Sequence, residues 1–110
     1  MALLTRNTIA FGGLDTSAVY VAAAASQEFA NDGRVFLHVK NTGASMTCTL
    51  TTAGTVGTHA IADTEVTIGA TTGEKMIGPF LPSVYNAADG NIDITWSRTS
   101  DVTVAVFRLP

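Results

Sequence analysis

Apolar and polar side chains alternate over several short stretches of this chain, and the most complete alternation lies near its end. Ile92, Ile94 and Trp96 interleave with Asp93, Thr95 and Ser97, the period of two of a strand with one dry face and one wet face. After a polar break at Arg98 to Asp101, Val102, Val104 and Val106 interleave with Thr103, Ala105 and Phe107. This second run is rich in β-branched residues, and its opposite face of small and aromatic side chains is suited to being covered as well. A short polar loop between two such runs predicts a β-hairpin. Earlier strands are expected to pack against it, because a lone hairpin is only marginally stable in water.

Upstream, Arg34 to Lys40 puts Val35, Leu37 and Val39 on one face and Phe36, His38 and Lys40 on the other. Ser45 to Thr52 puts Met46, Cys48 and Leu50 inward and Thr47, Thr49 and Thr51 outward, and the Asn41-Thr42-Gly43 connection predicts a second hairpin. Thr64 to Ile68 is a further strand. Glu74 to Phe80 is read as an edge segment, since Pro79 and Pro82 bracket it and proline cannot donate to a ladder. Ala53 to Ala62 is rich in Gly and Thr and reads as a loop with at most one short strand, while Asn31-Asp32-Gly33 and Ala88-Asp89-Gly90 are turns. Leu14 to Ala30 is ambiguous. Its alanines suit a helix, but Ala18, Tyr20 and Ala22 alternate with Val19, Val21 and Ala23, which favours an extended segment and then a loop carrying Phe29 inward.

These elements predict an all-β fold, a small antiparallel β-sandwich, jelly-roll-like, of seven or eight short strands; a barrel fits the same spacing. Residues 1–13 read as an extended N-terminal arm or edge strand and residues 14–110 as one β-sandwich domain. Within the arm, Leu3, Leu4, Ile9 and Phe11 are large apolar side chains without a strand pattern of their own, and they are the candidate contacts to a partner.

Composition changes this picture in one respect. Of 110 residues, 46% are hydrophobic and only 14% charged, against about 25% charged in an average domain. Outward faces must therefore be filled largely by Thr and Ala, which fits an ordinary Thr-rich sandwich and fits equally a chain with part of its surface covered by a partner or a second copy. The net charge of -3, with six scattered basic residues, argues against nucleic-acid binding, which needs clustered Lys and Arg. No run approaches the ~20 apolar residues of a membrane span, and no secretory signal is visible. The single Cys48, in phase with Met46 and Leu50, reads as a core residue.

Catalytic equipment is not evident. His38 lies in mid-strand and His59 in a Gly/Thr loop, neither beside a nucleophile motif, and His59 with Asp63 is one pair where a metal site needs several ligands. No glycine pattern resembles a phosphate-binding loop. Trp96, in phase with Ile92 and Ile94, is expected in the core and not as an exposed sugar-stacking platform. The expectation is a binding protein without enzyme activity, cofactor or metal.

Three stretches, VFLHVKNTG (35–43), IGPFLPSVYNAADG (77–90) and IDITWSRTSDVTVAVFRL (92–109), resemble small head proteins of tailed bacteriophages, the capsid decoration or cement proteins. That resemblance implies a structural protein of the virion, made in the host cytoplasm and attached to the capsid exterior. Its partner would be the major capsid protein and its favoured state a homotrimer, with Leu3, Leu4, Ile9 and Phe11 anchoring the arm on another chain. On that reading, deleting residues 2–11 removes attachment and leaves the sandwich folded. The alternatives are a head-tail connector or tail component, and a carbohydrate-binding head appendage using Trp96, Tyr20 or Tyr85.

Overall fold

Burial alternates residue by residue along the long strands and sorts the chain into two layers. A computed structural model describes residues 2–17 and 19–109, with Ala2 and Val56 described through their backbone alone. In chain order its elements are β1 (Ala2–Leu3), β2 (Arg6–Thr8), β3 (Val21–Ala22), β4 (Ser26–Ala30), β5 (Val35–Asn41), β6 (Met46–Leu50), β7 (Thr55–Val56), β8 (His59–Ala60), β9 (Thr64–Ile68), β10 (Gly73–Ile77), α1 (Pro82–Tyr85), β11 (Asn91–Trp96) and β12 (Val102–Arg108). The first sheet has the order β1-β4-β11-β6-β9. The second runs β10-β5-β12-β2, with β3 also paired to β12. Ten short strands thus form two sheets packed face to face, and β7 with β8 makes a separate two-stranded ladder. The shortest extent of the molecule, 20 Å, is what two sheets about 10 Å apart plus their outer side chains require.

The β-sandwich is the expected one, but its connections are not. Ile92 to Trp96 and Val102 to Val106 do not pair with each other: β11 lies between β4 and β6 in the first sheet, and β12 lies beside β5 in the second. The expected hairpin of β5 and β6 is likewise an arch from one sheet to the other, and so is the step from β9 to β10. An arch serves where a hairpin does not because both strands keep their apolar faces toward one core, from opposite sides. Val35, Leu37 and Val39 meet Met46, Cys48, Leu50, Ile92, Ile94 and Phe29 across that gap, all buried.

Other differences are local. Phe29 is fully buried as expected but is carried by β4, not by a loop. Gln27 obscured that strand, being polar at an inward position; its Oε1 accepts the indole N–H of Trp96 at 2.9 Å, which satisfies both buried groups. Residues 53–62 hold two short strands, Pro82 opens a one-turn helix at the position proline favours, and β1 and β2 run parallel to β4 and β12, so the sheets are not purely antiparallel. In the ambiguous segment 14–30 the described residues contain β3 and β4 and no helix, and Ala18 lies outside them.

Asn41 holds the arches together. Fully buried at the end of β5, its amide donates to the carbonyls of Ala44 (2.8 Å) and Gly69 (3.1 Å), and its Oδ1 accepts from the Gly43 N–H (3.0 Å) and from the Arg98 guanidinium (2.9 Å). One side chain thereby ties the β5–β6 arch to the turns after β9 and β11. Arg98 also donates to the carbonyls of Ala44 and Ser100. The β9–β10 crossing is so tight that a Cβ on Gly73 would sit 2.0 Å from the Gly69 carbonyl oxygen, a separation that only glycine avoids.

Replacing Asn41 by Ala strands several of these groups and should lower unfolding stability by about 2–4 kcal/mol. Thr95→Ala, on the wet face, should stay within about 0.5 kcal/mol of the parent. Urea denaturation of the two variants checks both values.

Candidate functional site

The two outer faces of the sandwich differ in chemistry. On the first sheet, cross-strand neighbours pair Thr95 with Thr49, Thr47 with Thr67, Thr49 with Glu65 and Asp93 with Glu28, an ordinary hydrated β surface. On the second, Phe36 faces Phe107, His38 faces Ala105, and Met76 faces His38. Such a face must be covered or sticky. The connection from β2 to β3 covers part of it, burying Ala105 and Phe107, both under 5% exposed.

Aromatic and polar contacts hold that cover in place. Tyr20 lies edge-on to Phe107 (6.2 Å between centroids) and to His38 (5.6 Å), and Phe36 stacks beside Phe107 at 5.5 Å. The Tyr20 hydroxyl hydrogen-bonds His38 Nδ1 at 2.5 Å. Lys40 sits with its ammonium 4.2 Å from the centre of the Tyr20 ring, a cation–π contact. Where the cover stops, an open groove of about 270 Å³ remains, lined by Ile9, Leu14, Thr16, Tyr20, Phe36, His38, Met76 and Phe107. A second depression, about 230 Å³, continues past Phe36 and Met76 to Ile77, Pro79 and Leu109.

His38 is the titratable group of this site. Burial pushes its pKa below the ordinary value; Glu74, 3.5 Å from Nε2, acts in the opposite direction, and Lys40 adds to the lowering. The groove is therefore lined by neutral side chains at neutral pH. Tyr20, His38 and Glu74 stand in a row, but the carboxylate is beyond hydrogen-bond distance of Nε2 and the phenol is engaged with the imidazole, so the row ties the cover to the sheet.

The candidate partner contacts of the arm are dispersed. Leu4 is 6% exposed and packs in the core; Ile9 lines the groove; Leu3 and Phe11 point outward at 64% and 101% exposure. The arm is part of the sandwich, because β1 and β2 complete the edges of the two sheets and the Leu4 N–H donates to the Glu28 carbonyl at 2.7 Å. Residues 2–8 thus supply edge strands, the second of the two forms expected for the segment, and deleting residues 2–11 would strip both of them with a core leucine, so that loss of attachment would not be separable from loss of stability.

Trp96 is buried as expected and is not available for sugar stacking. Cys48 is buried, and burial raises its thiol to about 12. His59 is exposed on β8, while Asp63 accepts from the Thr52 N–H at 3.0 Å. Among the described residues no three His, Cys, Asp or Glu side chains gather as metal ligands, and no helix is long and apolar enough to cross a membrane. Alternation alone did not single out Tyr20, Leu14 or Met76 as members of one site; the visible signal was the aromatic opposite face at Phe36 and Phe107. Comparisons with protein-family models, with curated proteins and with solved structures give no match to this chain.

Because the fold prefers neutral His38, the unfolded chain takes up its proton first as pH falls. This contribution to stability is complete above the ordinary histidine value of 6.5 and is lost as pH drops through the lower folded-state value. The stability lost between pH 7.5 and 5.5 should be smaller in His38→Gln than in the parent, read by urea denaturation at the two pH values.

Proposed function

We propose that the protein is a structural virion component that binds the outside of a phage capsid and stabilises the shell, as a decoration or cement protein whose partner is the major capsid protein. The observation that carries the reading is the apolar surface of a weakly charged chain: Leu3, Phe11, Met76 and Leu81 are each more than 60% exposed while only 14% of residues are charged. Met76 belongs to a contiguous apolar face that runs from Ile9 and Phe36 to Pro79 and Leu109, and contiguous apolar surface marks contacts with other proteins. The resemblance of residues 35–43, 77–90 and 92–109 to phage head proteins supplies the kind of partner, and with it the favoured trimeric state.

Attachment is assigned to the edge of the first sheet. There β1 is the outermost strand, its far side open to a strand from a capsid subunit, and Leu3 stands beside that edge with two-thirds of its surface free. Leu4 stays in the core and fixes where the edge sits.

Co-sedimentation with expanded, undecorated shells tests the reading. Saturable binding at a fixed ratio to the capsid subunit, with a rise in shell melting temperature, is the expected result. Leu3→Asp should weaken that binding at least about tenfold, the effect of one anchoring side chain, while leaving the protein's own melting temperature unchanged. Absence of binding, with the protein located at a single vertex or on the tail, would replace this reading with the connector one.

A further inference from the structure

We propose that the groove on the outer face of the second sheet receives Phe11 of a second copy of this chain. Phe11 is fully exposed at the tip of a turn closed by the Gly13 N–H donating to the Ala10 carbonyl at 2.9 Å. The two stems of that turn carry Ile9 and Leu14, which line the groove. An unburied aromatic ring and an unfilled aromatic-walled groove therefore sit side by side on one face. Such a face is complementary to itself, so two copies can each supply what the other lacks.

Size, charge and area agree with this occupant. At about 270 Å³ the groove falls below the roughly 300–1,000 Å³ of sites for drug-sized ligands, which suits a single ring. Phe36, Phe107 and Tyr20 offer ring edges and faces, and the Met76 sulfur is a favourable neighbour for an aromatic ring. No lining residue is charged at neutral pH, so two molecules of net charge -3 meet without desolvating a charge. At the rim, Lys40 and Glu74 lie 4.0 Å apart and present both signs to a facing copy. One ring buries about 200 Å² and covers a similar area of wall, so a reciprocal pair hides about 800 Å² before Met76 and Leu109 are included. That lies below the ~1,200–2,000 Å² of stable interfaces and predicts weak association, in the micromolar range.

The inference concerns a pairwise contact between copies and does not rest on the trimeric state given above; it is tested without shells, so its failure and the failure of attachment through Leu3 are separate results. Sedimentation equilibrium of the full chain from micromolar to millimolar concentration should show reversible association. Phe11→Ser removes both rings of the pair and should weaken it by at least about thirtyfold, the scale of a single interface hot spot, and Phe11→Trp should retain it. Met76→Glu, which places a charge at the groove from an exposed edge-strand position, should have the same effect as Phe11→Ser. An equimolar mixture of Phe11→Ser and Met76→Glu should associate more tightly than either variant alone and more weakly than the parent, because one of the two ring-in-groove contacts is restored. All the variants should melt with the parent, since both positions are exposed. A chain that stays monomeric throughout, or one whose association ignores both substitutions, would overturn the proposal; in the second case the surface that associates is another.

Discussion

The strand β12 must be dry on both faces, and much of the architecture follows from that demand. Val102, Val104 and Val106 belong to the core, while Ala105 and Phe107 are buried on the opposite side. The first sheet covers one face. Nothing in the second sheet itself can cover the other, so the chain supplies residues between β2 and β3, pinned by Tyr20 on His38 and by Tyr20 against Phe107. The groove is the part of that face the cover does not reach. Fold and candidate site therefore share one cause, the presence of more apolar sheet surface than a two-layer sandwich encloses.

Much of the strand content was legible because burial imposes a period of two. Val35 to Asn41, Met46 to Leu50, Asn91 to Trp96 and Val102 to Arg108 all show it, and their inward residues are those expected. Pairing was not legible. A four- or five-residue polar connection containing Gly or Asp closes a hairpin and an arch alike, and alternation reports which face is dry without reporting which sheet the strand joins. One clue was present: Asn41 continues the inward phase of Val35, Leu37 and Val39, and a polar side chain there has to be satisfied by backbone from the turns it touches. Three crossings converge near that residue.

The functional residues were legible in kind but not in place. Four apolar side chains in the first 13 residues pointed to contact with something, and the contact turned out to be divided among the chain's own core (Leu4), the groove wall (Ile9) and open surface (Leu3, Phe11). Short segments such as β1 and β2, two and three residues long, carry too little alternation to be recognised. They exist because longer strands offer them an edge. His38 was expected in mid-strand on the face opposite Val35, Leu37 and Val39, and it lies there, but its side chain is largely covered by Tyr20 of the same chain. Its partners Tyr20 and Glu74 come from segments 18 and 36 residues away in the chain, beyond any local spacing rule.

The position of β12 also bears on how the molecule is made. In the second sheet β2 and β3 pair with β12, and in the first sheet β11 joins β4 to β6. A ribosome that has delivered residues 1–90 has released segments whose central neighbours do not yet exist. Folding of both layers must wait for the last two strands, whose pairings span most of the chain and are slow to close. During that interval the valines, phenylalanines and tyrosines of a nascent chain stand exposed, the condition in which chaperones are recruited and aggregates begin. Rapid synthesis of many copies would turn that delay into a limit on the yield of folded chain.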